Sequence, residues 1–375
     1  MDHNMEHTTE KGVTTSSTPR ISAVFGTMSI PEPLDADAAR EALDYFYTAG
    51  FDKIDTAIVY QNGMTEATLG KIGMERFRVA TKANPWYKDP KTHDFSTPTY
   101  GLKPDLVKEQ LRTSIKALGV DSVDLFYLHA PDRNIPLLDT LRAVHELASE
   151  GLFREWGISN YAAWETVDIW HTCKANGWQT PSVYQGMYNA ITRTVEQELL
   201  PALKKLGMRF YAYNPLGGGI LTGKHSFDKP PEDGRFGGST VIGGLYRNLY
   251  WHKSIFDSID NNLKSPCEKH GIDLVSASLR WIRHHSALTG EMEDAVIICG
   301  SSVSQVRANV DACRDETPLP KDVVDGFDAA WEASKIHSPS YFVSSEGFND
   351  WGGRKYDDFV PGEVTKTAPP GDETI

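Results

Sequence analysis

The chain has 375 residues, 40% of them hydrophobic and 24% charged, an ordinary balance for a soluble globular protein. Its 38 basic against 51 acidic residues give a net charge of −13, which argues against a nucleic-acid or anionic-membrane partner. A few local arginines or lysines would still suffice to hold a phosphorylated small molecule. Cys173, Cys267, Cys299 and Cys313 form no CxxC and no His-rich ligand spacing, so they read as structural thiols rather than a disulfide framework or a metal site. The sequence has no apolar run of about eighteen residues, and its polar N-terminus lacks the apolar region of a secretory signal. The cytosol is the expected compartment.

Residues 1–19 are polar and Thr/Ser-rich, and read as a disordered tail. The apolar run 21–28 has the length of a strand. Asp35 is placed to cap a helix whose apolar positions Ala39, Ala42, Leu43, Phe46 and Tyr47 follow helical spacing, with Gly50 ending it. A short strand then carries Asp55, a helix runs from Glu66 to Ile72, and a strand covers 77–83. Asn84 to Lys103 is a long loop holding Trp86, Tyr87 and Phe95, and loops of this length are usually functional or disordered. Pro104 opens a helix with Leu106, Val107, Leu111, Ile115 and Leu118 on one face, closed by Gly119.

The next strand, SVDLFYLH, is an almost unbroken apolar run, as expected when both sheet faces are covered. Helix and strand alternate from there: PLLDTLRAVHELASEG, REWGISN, AWETVDIWHTCKANG, SVYQG, TVEQELLPALKKLG and MRFYAYNP. A Gly-rich loop or lid interrupts the rhythm. Helices at about 246 to 261 and 272 to 285, the strand AVIICG and a last helix VSQVRANVDAC complete the pattern. Eight strand-plus-helix units with one extra helix after the seventh strand predict a single-domain α/β fold, a (β/α)8 TIM barrel over 20–343, with 344–375 as a C-terminal extension. A doubly wound sheet would need a Gly-rich phosphate turn after the first strand, and FGTMSIPEP contains no GxGxxG.

Barrel active sites lie where strands end and loops begin. Asp55, Tyr60, Lys82 and His129 all fall there, at three successive strand ends. Singly, each has an ordinary reading as a cap, a surface tyrosine or lysine, or a core histidine. Together they make a proton-transfer set. A phenol with a pKa near 10 is a weak acid, and a neighbouring ammonium is expected to depress that value while Asp55 holds the lysine. His129 would orient a carbonyl oxygen. These parts suit carbonyl reduction by hydride, with Tyr60 supplying the proton.

IDTAIVY, ATKANPW, VDLFYLHAPD, WGISNYAAWE, YQGMYNA, FYAYNPLGGGILTGK, SLRWIRHHS and CGSSVSQVRANV, spread from about Ile21 to Phe342, resemble the aldo-keto reductases, in particular the aflatoxin-aldehyde and succinic-semialdehyde reductase branch. The resemblance implies an NADPH-dependent barrel reductase with Asp55, Tyr60, Lys82 and His129 as its catalytic tetrad. It further implies Ser159, Asn160 and Gln185 as a carboxamide clamp and Tyr213 as the face that stacks on nicotinamide. The pyrophosphate would run along Asn214, Pro215, Leu216, Gly217, Gly219 and Lys224, where three successive glycines allow close backbone approach. Gly300, Ser301 and Ser302 open the final helix, a natural anion site, followed by Gln305 and Asn309 on one face. Arg307 has an equal reading as a solvated residue. Arg235 is expected to close over the cofactor, and Met28, Trp86 and Tyr246 to meet substrate. The resemblance also implies a homodimer.

Relatives that prefer carboxylated aldehydes carry one arginine in a YRNR segment and another in a C-terminal YFR. This chain has Leu249 and Val343 there. Neutral substrates, aromatic or dialdehyde, are therefore expected. A pathway-specific ketoreductase or aryl-alcohol dehydrogenase of secondary metabolism is a second reading. A cofactor sensor with little turnover is a third, because potassium-channel auxiliary subunits share the resemblance.

Overall fold

A computed structural model describes residues 20–86, 101–237 and 241–343. The expected tails (1–19 and 344–375) and most of the 84–103 loop, with Tyr87 and Phe95, lie outside the described residues. Eight short strands pair in sequence order, every pair parallel: β1 (Ser22–Gly26), β2 (Lys53–Asp55), β3 (Arg78–Ala83), β4 (Val123–Leu128), β5 (Phe153–Ser159), β6 (Val183–Met187), β7 (Arg209–Tyr213) and β8 (Ala295–Ile298). The last closes onto the first with Ala23 opposite Val296 and Val24 opposite Ile297. This is the expected (β/α)8 barrel.

Among the described residues, six helices alternate with the first seven strands: α1 (Ala36–Thr48), α2 (Met64–Ile72), α3 (Pro104–Leu118), α4 (Leu137–Ser149), α5 (Ala163–Ala175) and α6 (Leu199–Leu206). Between β7 and β8 lie α7 (Val241–Tyr250), α8 (Lys253–Asn262), α9 (Lys264–Lys269) and α10 (Leu274–His285), and after β8 come α11 (Val303–Arg314) and α12 (Lys321–Ser334). The alternating strand faces divide the interior into two apolar regions. Val24, Ala80, Leu125, Tyr127, Val183, Tyr211, Ala295 and Ile297 fill the barrel, while a larger core lies between sheet and helices.

Local chemistry explains where helices begin and end. Asp35 Oδ1 accepts from the Ala38 N–H at 2.9 Å, the predicted cap. Four of the five expected α1 positions are buried, but Tyr47 is 41% exposed, its ring facing the Arg76 guanidinium at 4.9 Å. The helix expected from TVEQELLPALKKLG begins as a separate turn at Thr194–Glu196, and α6 starts only at Leu199. Pro201 explains the break, because its ring crowds the carbonyl four residues back and it has no N–H to donate there.

The helix expected over 246–261 is two helices. His252 is extended (φ −116°, ψ 133°), and Trp251 turns into an aromatic group with Phe256 (4.8 Å) and Phe236 (5.2 Å). The expectation of one extra helix therefore undercounts this insertion. It also stops short at the C-terminus, because α12 follows the helix read as last. Val323, Phe327 and Ala330 of α12 are buried at i, i+4 and i+7, against α8 and α9.

Gly157 on β5 lies level with Tyr127 on β4 and Val183 on β6. A Cβ there would stand 2.4 Å from the Val183 carbonyl oxygen and 2.8 Å from the Tyr127 ring. Gly157→Ala should thus cost about 1–3 kcal/mol, read as a lower urea midpoint. A midpoint equal to that of the unaltered chain would show that the barrel layer has room to spare.

Candidate active site

β2 and β3 hold Ile54 opposite Val79 and Asp55 opposite Ala80, so the side chains at their upper ends converge on the barrel axis. Lys82 is 1% exposed and Asp55 3%. The Lys82 ammonium donates to Asp55 Oδ1 at 2.6 Å, to the Thr56 carbonyl at 2.7 Å and to the Tyr60 hydroxyl oxygen at 3.3 Å. An ammonium has three donors and no acceptor, so all are committed. Tyr60 must accept in its bond with Lys82, which leaves its own proton free for the cleft. Gln185 Nε2 donates to the other Asp55 oxygen at 2.7 Å and fixes the carboxylate from the opposite wall.

The Tyr60 ring stands edge-on to His129 at 6.0 Å, and Trp86 lies edge-on to His129 at 6.3 Å. Burial pushes the His129 pKa well below its ordinary value, and the Lys82 charge pushes it the same way. The imidazole is therefore neutral, and its Nδ1 is buried with no hydrogen-bond partner among the described residues.

One electrostatic expectation is corrected. Burial raises the Tyr60 pKa, Lys82 lowers it and Asp55 raises it, and the net value stands above the ordinary one. Desolvation of a phenolate outweighs one ammonium that a carboxylate already neutralises. The phenol therefore keeps its proton at neutral pH. For Lys82 burial acts downward, but Asp55 and Tyr60 outweigh it and the ammonium stays charged.

The neutral His129 carries a pH signature. Unfolded, its imidazole takes up a proton near pH ~6.5, whereas the folded ring does so only at lower pH. Its contribution to stability is therefore complete above ~6.5 and is lost as pH falls below it. Urea midpoints from pH 7.5 to 5.5 should fall more steeply for the unaltered chain than for His129→Asn. Parallel slopes would contradict the buried neutral ring.

β5 and β7 are each followed directly by an asparagine with left-handed backbone, Asn160 (φ 65°) and Asn214 (φ 55°), a conformation that asparagine tolerates better than most residues. Asn160 Nδ2 donates to the His129 carbonyl at 2.9 Å and to Ser159 Oγ at 3.1 Å, and its Oδ1 accepts from the Tyr213 hydroxyl at 2.7 Å. The Tyr213 ring is thereby fixed beside the strand ends. Pro215 and Leu216 lead into a tight turn at Gly217–Thr222, in which the Gly217 and Gly219 N–H groups donate to Asn214 and Leu216 carbonyls. Those two donors are spent within the turn. Gly218 (φ 69°) has another use, since a Cβ would stand 2.4 Å from the Tyr246 ring. Tyr246 donates to Asn214 Oδ1 at 2.9 Å, and Lys224 is exposed beyond the turn.

On α11, Ser302 accepts the Gln305 N–H as the helix cap, and Gln305 Oε1 accepts from the Ser301 N–H and hydroxyl at 2.9 Å each. Gly300 and Asn309 are buried, and Asn309 donates to the Cys299 carbonyl at 2.8 Å. Arg307 turns away to pair with Glu41 at 2.9 Å and to lie 4.8 Å from the Tyr45 ring. Arg235, expected to close over the cofactor, lies over the Tyr246 ring that packs against Gly218 of the turn at Gly217–Thr222. It reaches Met28 Sδ at 3.2 Å and covers the Tyr246 ring at 5.0 Å. Of the four cysteines Cys299 is exposed, contrary to a uniformly structural reading, and it ends at the rim beyond β8.

Sequence reasoning missed Thr56, Tyr127 and Asn189. Thr56 acts through its backbone oxygen, which no residue type signals. Tyr127 lies buried below the site, 5.9 Å from the Lys82 ammonium, and only the barrel register reveals it. Asn189, inside YQGMYNA, donates to the Asn214 carbonyl at 2.9 Å and holds the β7 turn.

A buried ammonium–carboxylate pair under a phenol, at the C-terminal mouth of a closed parallel barrel, defines an acid–base site of the oxidoreductase kind. Residues 23–332 match the model of the Aldo/keto reductase family, and the chain belongs to that family. It is 44% identical over 336 residues to aflatoxin B1 aldehyde reductase member 2 of Rattus norvegicus, covering 86% of this chain and 88% of the relative. Aldo-keto reductase family 7 member A3 of Homo sapiens is also 44% identical over 336 residues, 86% of this chain and 97% of the relative. Aldo-keto reductase pigE of Monascus ruber is 36% identical over 306 residues, 80% and 88% of the two chains. Among solved structures, an aldo-keto reductase from Klebsiella pneumoniae in complex with NADPH has a TM-score of 0.61 at 21% identity, covering 84% of this chain and 95% of that one. No helix among the described residues is long and apolar enough to cross a membrane.

Proposed function

We propose that this protein reduces neutral aldehyde or ketone carbonyls, aromatic or dialdehyde, with NADPH, and that Tyr60 is the general acid. The carrying observation is the Lys82 ammonium, 2.6 Å from Asp55 and 3.3 Å from the Tyr60 oxygen, at the mouth of the barrel. NADPH supplies the hydride when bound. Tyr60 gives its proton to the oxygen that gains negative charge, Lys82 stabilises the phenolate left behind, and Asp55 with Gln185 keeps Lys82 in place. His129, neutral and next to the phenol, orients the carbonyl. Ser159, Asn160 and Tyr213 form a wall suited to a nicotinamide, while the Ser301–Asn309 face of α11 offers polar groups for the far end of the dinucleotide. The described residues 20–343 would constitute the working unit, cytosolic and homodimeric, the latter open to light scattering.

Substrate charge follows from two positions. Leu249 and Val343 are 1% and 3% exposed and packed into the apolar core, so neither offers a cation to an acid-bearing substrate. Charge-assisted hydrogen bonds are each worth about 1.5–3 kcal/mol, so without both kcat/KM for succinic semialdehyde should fall more than tenfold below that for benzaldehyde. Loss of NADPH absorbance with the two aldehydes measures this. Equal efficiencies would refute the preference for uncharged substrates. A cofactor sensor would instead bind NADPH tightly and consume almost none with any carbonyl.

A further inference from the structure

The chain turns sharply just past Tyr60. Gln61 (φ 48°, ψ 38°), Asn62 (φ 54°, ψ 39°) and Gly63 (φ 85°, ψ −8°) are three successive residues with left-handed backbone, and α2 begins directly after them. Glutamine rarely adopts this conformation, and the cost is borne only where surrounding contacts over-determine it. The Tyr60 side chain is lightly tethered by comparison. Among the described residues its oxygen has one hydrogen bond, from Lys82 at 3.3 Å, so the placing of the phenol falls largely to the backbone that carries it.

The Gln61 amide supplies the over-determining contacts. Its Nε2 donates to the Glu32 carbonyl at 2.9 Å and to the Met28 carbonyl at 3.3 Å, both in the loop between β1 and α1. A carboxamide nitrogen carries two N–H donors, so both are used. Between those two carbonyls, the Ile30 carbonyl accepts from the Thr65 hydroxyl on α2. The same loop starts from β2, where the Thr27 N–H and hydroxyl donate to the Asp55 carbonyl at 3.1 Å and 2.9 Å. Three alternate carbonyls of the loop are thus gripped from the two sides of the left-handed turn. Strand, loop and turn close a frame around the phenol.

We propose that Gln61 is the positioning residue for Tyr60: by gripping the loop after β1 it holds the left-handed turn in place, and with it the phenol at the Lys82 ammonium. The inference rests on the reading of Tyr60 as the acid of a carbonyl reductase, and deepens it. Gln61 acts through Tyr60, since its amide is bonded to the β1 loop rather than to Lys82, Asp55 or His129. Without the amide, the turn relaxes toward the right-handed conformation that an L side chain favours, and the residue before it swings with it. A displacement of about 1 Å from the line of proton transfer is enough to slow the chemical step ~10²-fold.

The test compares the unaltered chain with Gln61→Ala, Gln61→Gly and Asn62→Gly, by single-turnover mixing of NADPH-loaded protein with benzaldehyde. Gln61→Ala should slow the chemical step about ten- to a hundredfold and leave the benzaldehyde KM and NADPH affinity within about twofold. Gln61→Gly should have the higher urea midpoint of the two, because it brings no Cβ into the left-handed region, yet be no faster. Asn62→Gly eases the same backbone at an exposed position and should keep full activity. Added to Tyr60→Phe, Gln61→Ala should cause no further loss, because the group it positions is already gone. Rates that follow the urea midpoints, a loss expressed wholly in KM, a further loss in the double variant, or a Gln61→Ala chain of normal speed would each overturn this proposal alone. An unaltered chain that binds NADPH but consumes none with benzaldehyde would overturn the reductase reading as well.

Discussion

Tyr60→Phe should lower kcat/KM for carbonyl reduction by about 10²–10⁴-fold and leave NADPH affinity unchanged. The substitution removes one oxygen and keeps the ring that stands edge-on to His129 at 6.0 Å. It also deprives the Lys82 ammonium of its longest hydrogen bond, at 3.3 Å, but leaves those to Asp55 and Thr56 intact. The fold should therefore persist with a near-normal urea midpoint. Single-turnover mixing of NADPH-loaded protein with benzaldehyde separates the chemical step from product release. Undiminished turnover would take the acid's role from Tyr60 and direct attention to His129.

Lys82→Met should have a double effect, on activity and on stability. Lys82 and Asp55 are both almost wholly buried, and the ammonium is the sole cation bonded to that carboxylate among the described residues. Removing it leaves a buried charge with only the Gln185 amide, which costs about 3–5 kcal/mol and lowers the thermal midpoint. Activity should fall at least as far as in Tyr60→Phe, because the phenolate formed in reduction loses the cation beside it. Pairing the change with Asp55→Asn distinguishes the two effects: the double variant should regain much of the stability and none of the turnover. If it regained turnover, the ion pair would be a structural feature and the mechanism would fail.

The strand-and-helix alternation, the cap at Asp35, the closure at Gly119 and the placement of Asp55, Tyr60, Lys82 and His129 at strand ends were all legible in the sequence. Each depends on a short run of residues with a fixed period or a local hydrogen bond. The helix breaks were less so. Pro201 sits inside a helical pattern, and its effect four residues upstream is easily overlooked. The split at Trp251–His252 arises because the indole is drawn into a cluster with Phe236 and Phe256, which local periodicity does not record. Helix α12 lies beyond the eighth strand-plus-helix unit, where the barrel repeat carries no signal for a further helix.

Within the site, residue types and spacing identified Asp55, Tyr60, Lys82 and His129 as partners, but not the sign of the balance between them. An adjacent ammonium suggests a more acidic phenol, yet burial of the group outweighs it. Arg235 shows the same division. The resemblance places it over the cofactor, and the Arg247 clamp on its loop, at the Phe236 and Pro231 carbonyls, adds a contact with Met28 that residue spacing does not show. The amino-acid sequence alone determined the barrel, the family and the four rim residues, since these follow from near-neighbour pattern along the chain. Desolvation, the commitment of Gln185 to Asp55 and the destination of Arg235 were decided only by tertiary structure, because each depends on which distant groups exclude water from one another.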